Sequence, residues 1–165
     1  MAQVFPGRWT AKLSEDDRVV FLIGMRFNKP LRIDKWFPVF LAMPRMLRYL
    51  SDNEDAGMLG GHAWFGRTTI LVTYWESVDK LIEFASAQTA PHREAWRKFN
   101  RAIGNGGTVG VWHETYLTGP GRAEAVYVNM PAFGLGAATE HVKVGATTTS
   151  AHKRLAVDGK YPRSA

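Results

Sequence analysis

Two histidines on two different elements are the residues of this chain best able to do chemistry. His92 follows Pro91 at the head of the helix-forming run Pro91-His92-Arg93-Glu94-Ala95-Trp96, and His113 lies in the strand-forming run Val109 to Tyr116. The positive end of a helix dipole disfavours an imidazolium, so His92 stays neutral there and can offer a lone pair to a metal. Trp96 and Phe99 further along, with Phe84 on the preceding helix, would supply the apolar surround that a porphyrin needs. In the strand, Val109, Val111, His113 and Thr115 point one way, and Gly110, Trp112, Glu114 and Tyr116 the other. Glu114 therefore cannot orient His113 directly. If the chain has an active centre, it is expected between these two histidines. The plainer alternatives are a hydrogen-bonded core histidine at 113 and a surface histidine in a first turn at 92.

Other site chemistries find little support. No HxH, HxxxH or HExxH spacing occurs, and Glu94 is the one carboxylate at ligand spacing from His92. There is no GxSxG, no GxGxxG after a strand and no GxxxxGK[ST]. With zero cysteines, disulfides, thiolate metal sites and cysteine nucleophiles are all excluded.

The elements that must position these residues follow from periodicity. Val19, Phe21, Ile23, Met25 and Phe27 alternate and predict a strand, which Asn28-Lys29-Pro30 ends. Asp34 is the expected cap of a helix whose stripe is Trp36, Phe40, Met43, Leu47 and Leu50. Pro38 falls in or near its first turn, whereas Pro44 must bend or split it. Met58 to Phe65, the turn Gly66-Arg67 and Thr68 to Trp75 predict a hairpin. Ser77 caps a further helix, a second helical piece carries His92, Trp96, Phe99 and Ile103, and Gly104-Asn105-Gly106-Gly107 terminates it. Thr108 to Leu117 and Glu124 to Met130 predict two closing strands joined at Thr118-Gly119-Pro120-Gly121.

That order is the ferredoxin-like α+β plan, an antiparallel sheet with its helices on one face. The expected organisation is an N-terminal arm over 1–17, the α+β domain over 18–136, and an arm or disordered tail over 137–165. The opposite sheet face has no expected cover from this chain, and its apolar residues call for a second copy, giving a symmetric homodimer.

At 165 residues and 45% hydrophobic content the chain suits one globular domain. The net charge is +6, but the bases are scattered and the densest group, Arg93 to Arg101, reads as a solvated helix face, so no nucleic-acid partner is expected. Met1 to Trp9 has no secretion-signal pattern, and no stretch approaches the roughly 18 apolar residues of a membrane span. The expectation is a soluble cytoplasmic protein with no membrane partner.

The runs YWES, PHREAWRKFN, VGVWHETY and EAVYVNMPAFGLG resemble a monooxygenase-like family of the dimeric α+β-barrel superfamily, over about Arg18 to Gly136. The resemblance implies that fold and its dimeric assembly. In haem-degrading monooxygenases a WES strand end precedes the helix with the proximal haem histidine, which lands on Trp75-Glu76-Ser77 and His92. The C-terminal half is also similar to haem-dependent aldoxime dehydratases, implying a proximal ligand at His92 and a distal acid–base at His113. The Y-[IV]-N segment of those enzymes falls on Tyr127-Val128-Asn129. Aldoxime dehydratases carry two such repeats, so a homodimer would have to supply the second. Trp36, Phe40, Trp64, Trp112 and Asn129 are the expected substrate-pocket residues.

Three functions follow. The first is a small haem b enzyme acting on an iron-bound small organic substrate, dehydrating an oxime or carrying out monooxygenation. The second is a cofactor-free monooxygenase of aromatic or polyketide-like substrates with His113 as the base. The third is a non-enzymatic ligand-binding dimer whose aromatics are core.

Overall fold

The computed structural model describes residues 2–13, 18–86, 106–119 and 121–155. Strands β2 (Arg18–Phe27), β3 (Met58–Trp64), β4 (Ile70–Trp75) and β5 (Val109–Thr118) form an antiparallel sheet in the order β3-β4-β2-β5. Between them run α1 (Ile33–Phe40), α2 (Ala42–Asp52), a 3₁₀ turn (Glu54–Ala56) and α3 (Val78–Ser86). This is the ferredoxin-like α+β fold, with α1, α2 and α3 packed on one face.

Alternation along β2 builds that face as expected. Val19 pairs with Trp75 of β4 and Leu117 of β5, Phe21 with Thr73 and Thr115, and Ile23 with Leu71 and His113. Opposite residues of an antiparallel pair share a face, so all of these project toward the helices. Val19 and Trp75, each 1% exposed, close one end of the core against Leu50 of α2 and Leu81 of α3. Removing a buried tryptophan of this kind costs about 3–5 kcal/mol.

The helices begin and break where local chemistry requires. Ser77 Oγ accepts the Lys80 N–H at 3.2 Å, the expected cap of α3. The break between α1 and α2 falls at Leu41. Pro44 has no N–H for the Phe40 carbonyl and its ring crowds that oxygen, so one helix stops and the next starts with Pro44 in its first turn. Pro38 lies inside α1. Asp34 does not cap that helix: its carboxylate lies within the first turn and takes the Arg32 guanidinium at 2.8 and 2.9 Å.

The ends of the chain depart from expectation. The stretch expected as an arm contains β1 (Phe5–Lys12), the central strand of a second sheet ordered β6-β1-β7. Its partners are β6 (Tyr127–Met130) and β7 (Glu140–Lys143). The two strands expected to close the domain lie in different sheets, because β6 pairs with β1 and β5 pairs with β2. The region expected as a tail supplies β7 and the short helix α5 (Ala151–Leu155). Arg154 of α5 joins Glu124 at 2.7 Å, its side chain 7% exposed. Nor is the second face of the main sheet bare. Helix α4 (Gly134–Ala138) lies against β3 and β4 on one side and β1 and β7 on the other.

Candidate active site

His113 stands halfway along the helix-side face, in the row Ala63, Leu71, Ile23, His113 that crosses the sheet. Its ring lies 5.8 Å from that of Phe21. It is exposed, and no hydrogen bond joins it to any of the described residues. The core histidine with a fixed partner is thus not what the fold builds. A free imidazole on an apolar floor can take a proton from a bound molecule and return it.

Aromatic groups flank this row at both ends. Toward the Val19 end, Phe84 packs on Trp75 at 5.3 Å and on Tyr49 at 6.2 Å, placing it in the core. Toward the Phe27 end, Trp36 meets Phe27 edge-on at 4.8 Å and Phe40 at 6.4 Å. Phe40 in turn meets Phe65 of the β3–β4 turn at 5.8 Å. Trp36 and Phe40 therefore share the side of the sheet that carries His113.

The remaining expected pocket residues do not. Trp112 is opposite Gly24, on the far face. Its indole nitrogen is buried there without a hydrogen-bond partner among the described residues. Trp64 shares that far face with His62, and both meet Phe133. A strand's alternation sends neighbours to opposite sides, so Trp112 cannot join His113 in one pocket and Trp64 cannot join Phe40. Asn129 lies in the second sheet, where its side-chain oxygen accepts the Gly7 N–H at 2.8 Å. Its φ of 52° is one that asparagine tolerates well. That bond bridges the irregular part of the β1–β6 ladder. His92 and Trp96 lie outside the described residues.

The far face carries a cluster the sequence reading passed over. His62 stacks on Phe133 at 4.0 Å, and its Nε2 accepts the Gly134 N–H at 3.1 Å. The Tyr127 hydroxyl accepts the Gly136 N–H at 2.9 Å. Helix α4 has no capping side chain of its own, so these two distant residues satisfy its free N–H groups. Burial raises the Tyr74 phenol, with Tyr127 adding to it, and burial likewise raises Tyr127. His141 stacks on Trp9 at 4.9 Å with Phe5 and Tyr127 at its edges. The only sequence signal for this cluster is the glycine spacing of Phe133-Gly134-Leu135-Gly136. On β5, Glu114 accepts the Tyr116 hydroxyl, and that bond raises the phenol above its ordinary range.

No group of three or more His, Cys, Asp or Glu that could hold a metal ion occurs among the described residues. No helix among them is long and apolar enough to cross a membrane.

Comparison with known proteins agrees with this architecture. An aldoxime dehydratase crystallised with butyraldoxime superposes with a TM-score of 0.64 at 16% identity, over 81% of this chain and 42% of that one. A second aldoxime dehydratase gives 0.64 at 15% identity, over 81% and 43%. At such identities the likeness is one of fold. Monooxygenase af470 of Aspergillus fumigatus is 30% identical over 158 residues, 82% of this chain and 55% of the relative. The chain thus spans about half the length of the curated relative it matches. The monooxygenase af470-like family matches residues 18–135, and the chain belongs to that family.

Proposed function

We propose that the chain is a small-molecule monooxygenase in which His113 is the acid–base group. The observation that carries this reading is an exposed imidazole with no described hydrogen-bond partner on an apolar, aromatic-flanked face. Membership of the family supports oxygenase chemistry. The substrate class that suits the face is a flat aromatic or polyketide-like molecule with an acidic CH₂. His113 takes one of its protons, and the resulting carbanion reduces dioxygen. In the net reaction the CH₂ becomes a carbonyl and the second oxygen atom leaves as water, so the substrate supplies every electron. Phe21, Ile23 and Leu71 would seat the rings, with Trp36 and Phe40 toward the Phe27 end of that face.

Haem is the cofactor the resemblance to aldoxime dehydratases implies. The described residues give that reading one group, His113, and its expected iron ligand, His92, lies outside them.

A second copy belongs to the same reading. On the far face Glu114 and Tyr116 are exposed and Val20 and Leu22 only half-buried, the part of the sheet that α4 leaves to a homodimer contact.

The test is oxygen uptake with an anthrone, whose CH₂ lies between aryl rings and opposite a carbonyl, using metal-free protein and protein titrated with haemin. Uptake by metal-free protein, reduced about a hundredfold or more in His113→Ala, is the expected result. Uptake only after haemin, with a Soret band lost in His92→Ala, would replace it with the haem reading. Neither activity nor any effect of His113→Ala on ligand affinity would leave a ligand-binding dimer.

A further inference from the structure

One end of the molecule combines protruding apolar side chains with bases that form no salt bridge among the described residues, although Arg67 Nε donates to the Phe27 carbonyl. Leu31 is 93% exposed and Phe65 72%, each in a turn, and Ile33 and Phe37 of α1 and Leu41 just past its end are exposed as well. Contacts join the two turns to α1, where the Trp36 indole N–H donates to the Pro30 carbonyl at 2.9 Å. The Phe65 ring meets Phe40, Trp36 meets Phe37 and Phe27, and the Phe27 backbone N–H donates to the Arg67 carbonyl. An exposed apolar group of this kind marks a contact surface.

Charge identifies the partner. Lys29 and Arg67 are exposed beside the two tips and Lys35 is half-buried on α1. The one acid in these segments, Asp34, is already held by Arg32. A second copy would set this basic rim against itself. A nucleic acid would leave Leu31 and Phe65 without an apolar partner. Protruding tips ringed by bases suit an interface that is apolar inside and anionic at its surface.

We propose that this end docks peripherally on an anionic phospholipid surface. Leu31 and Phe65 enter the boundary between headgroups and acyl chains, and Lys29, Lys35 and Arg67 meet the lipid phosphates. The contact is interfacial, against the expectation of no membrane partner, and needs no spanning helix. Phe27, Trp36 and Phe40 lie behind these tips, on the side of the sheet that carries His113. The docking itself does not depend on the oxygenase reading.

The test is flotation of the full chain with phosphatidylcholine vesicles, plain or containing about 30% phosphatidylserine. Binding at least tenfold stronger to the anionic vesicles is expected. It should weaken as salt shortens the screening length from about 10 Å at 0.1 M to about 3 Å at 1 M. Leu31→Asp and Phe65→Asp each lower it tenfold or more at unchanged thermal midpoint, whereas Val128→Asp, an exposed apolar residue on β6, binds as the parent does. Equal binding to both vesicle types, no binding, or full binding by both tip variants overturns the proposal. So does preferential capture of a DNA duplex, or a Leu31→Asp variant that turns a vesicle-indifferent dimer into a monomer.

Discussion

Ile23 and His113 stand side by side across the β2–β5 ladder on the helix-side face, while Gly24 and Trp112, one residue along, face each other on the far side. This pairing divides the chemistry of β5 from its packing.

On the helix side, His113 is exposed and holds no described partner, so removing its ring should leave the fold almost intact. His113→Ala is expected to shift stability by no more than about 0.5 kcal/mol while lowering turnover about a hundredfold or more. Thermal melting beside an oxygen-uptake assay checks both. A large loss of stability would instead make the residue a packing element.

On the far side, a Cβ on Gly24 would collide with the Thr69 carbonyl oxygen and come within 2.7 Å of Trp112 Nε1. The carbonyl is backbone and cannot swing aside. Gly24→Ala should cost about 3 kcal/mol or more, measured by urea denaturation. Gly110→Ala on the neighbouring strand has room, its nearest contacts being 3.6 and 3.7 Å away, and should cost far less.

The fastening of α4 by His62 gives a third expectation. His62→Ala leaves the Gly134 N–H without its acceptor and removes the stacking on Phe133. The expected loss is about 2 kcal/mol or more. His62→Gln, which restores an acceptor without a ring, should recover part of it. Hydrogen exchange at the Gly134 and Gly136 amides would show the loss locally. Unchanged protection in His62→Ala would mean the bond contributes nothing.

Alkaline pH should loosen the same layer. Burial holds the neutral phenols of Tyr74 and Tyr127 and raises both. A group raised in the folded state contributes stability that is complete below its unfolded value, about pH 10 for tyrosine, and lost as pH climbs through the folded value. The thermal midpoint of the parent should therefore fall more steeply above about pH 10 than that of Tyr74→Phe. Parallel curves for the two proteins would contradict this.

Much of the architecture was legible because it is local. Alternation in β2, β4 and β5, the Ser77 cap and the break forced by Pro44 each depend on residues within a turn or two. Alternation also placed His113 and Glu114 on opposite faces. It already separated Trp112 from His113, so grouping both in one pocket set aromatic character above strand parity. β1 escaped because its ladder is irregular. The register shifts between Phe5 and Arg8, Gly7 takes a φ of 81°, and the Asn129 side chain closes the gap. A bulge of this kind erases the period-two signal.

The amino-acid order alone determined the strands β2 to β5, the start of α3, the break after α1, and which side of β5 bears an imidazole. Only the folded chain decided that β6 leaves β5 for β1, that α4 fills the space between two sheets, and that Trp36 and Phe40 share a side with His113 while Trp64 and Trp112 do not. Side-chain direction repeats every second residue and is written into each strand. The pairing of β1 with β6 joins residues more than a hundred positions apart, and no short-range pattern encodes it.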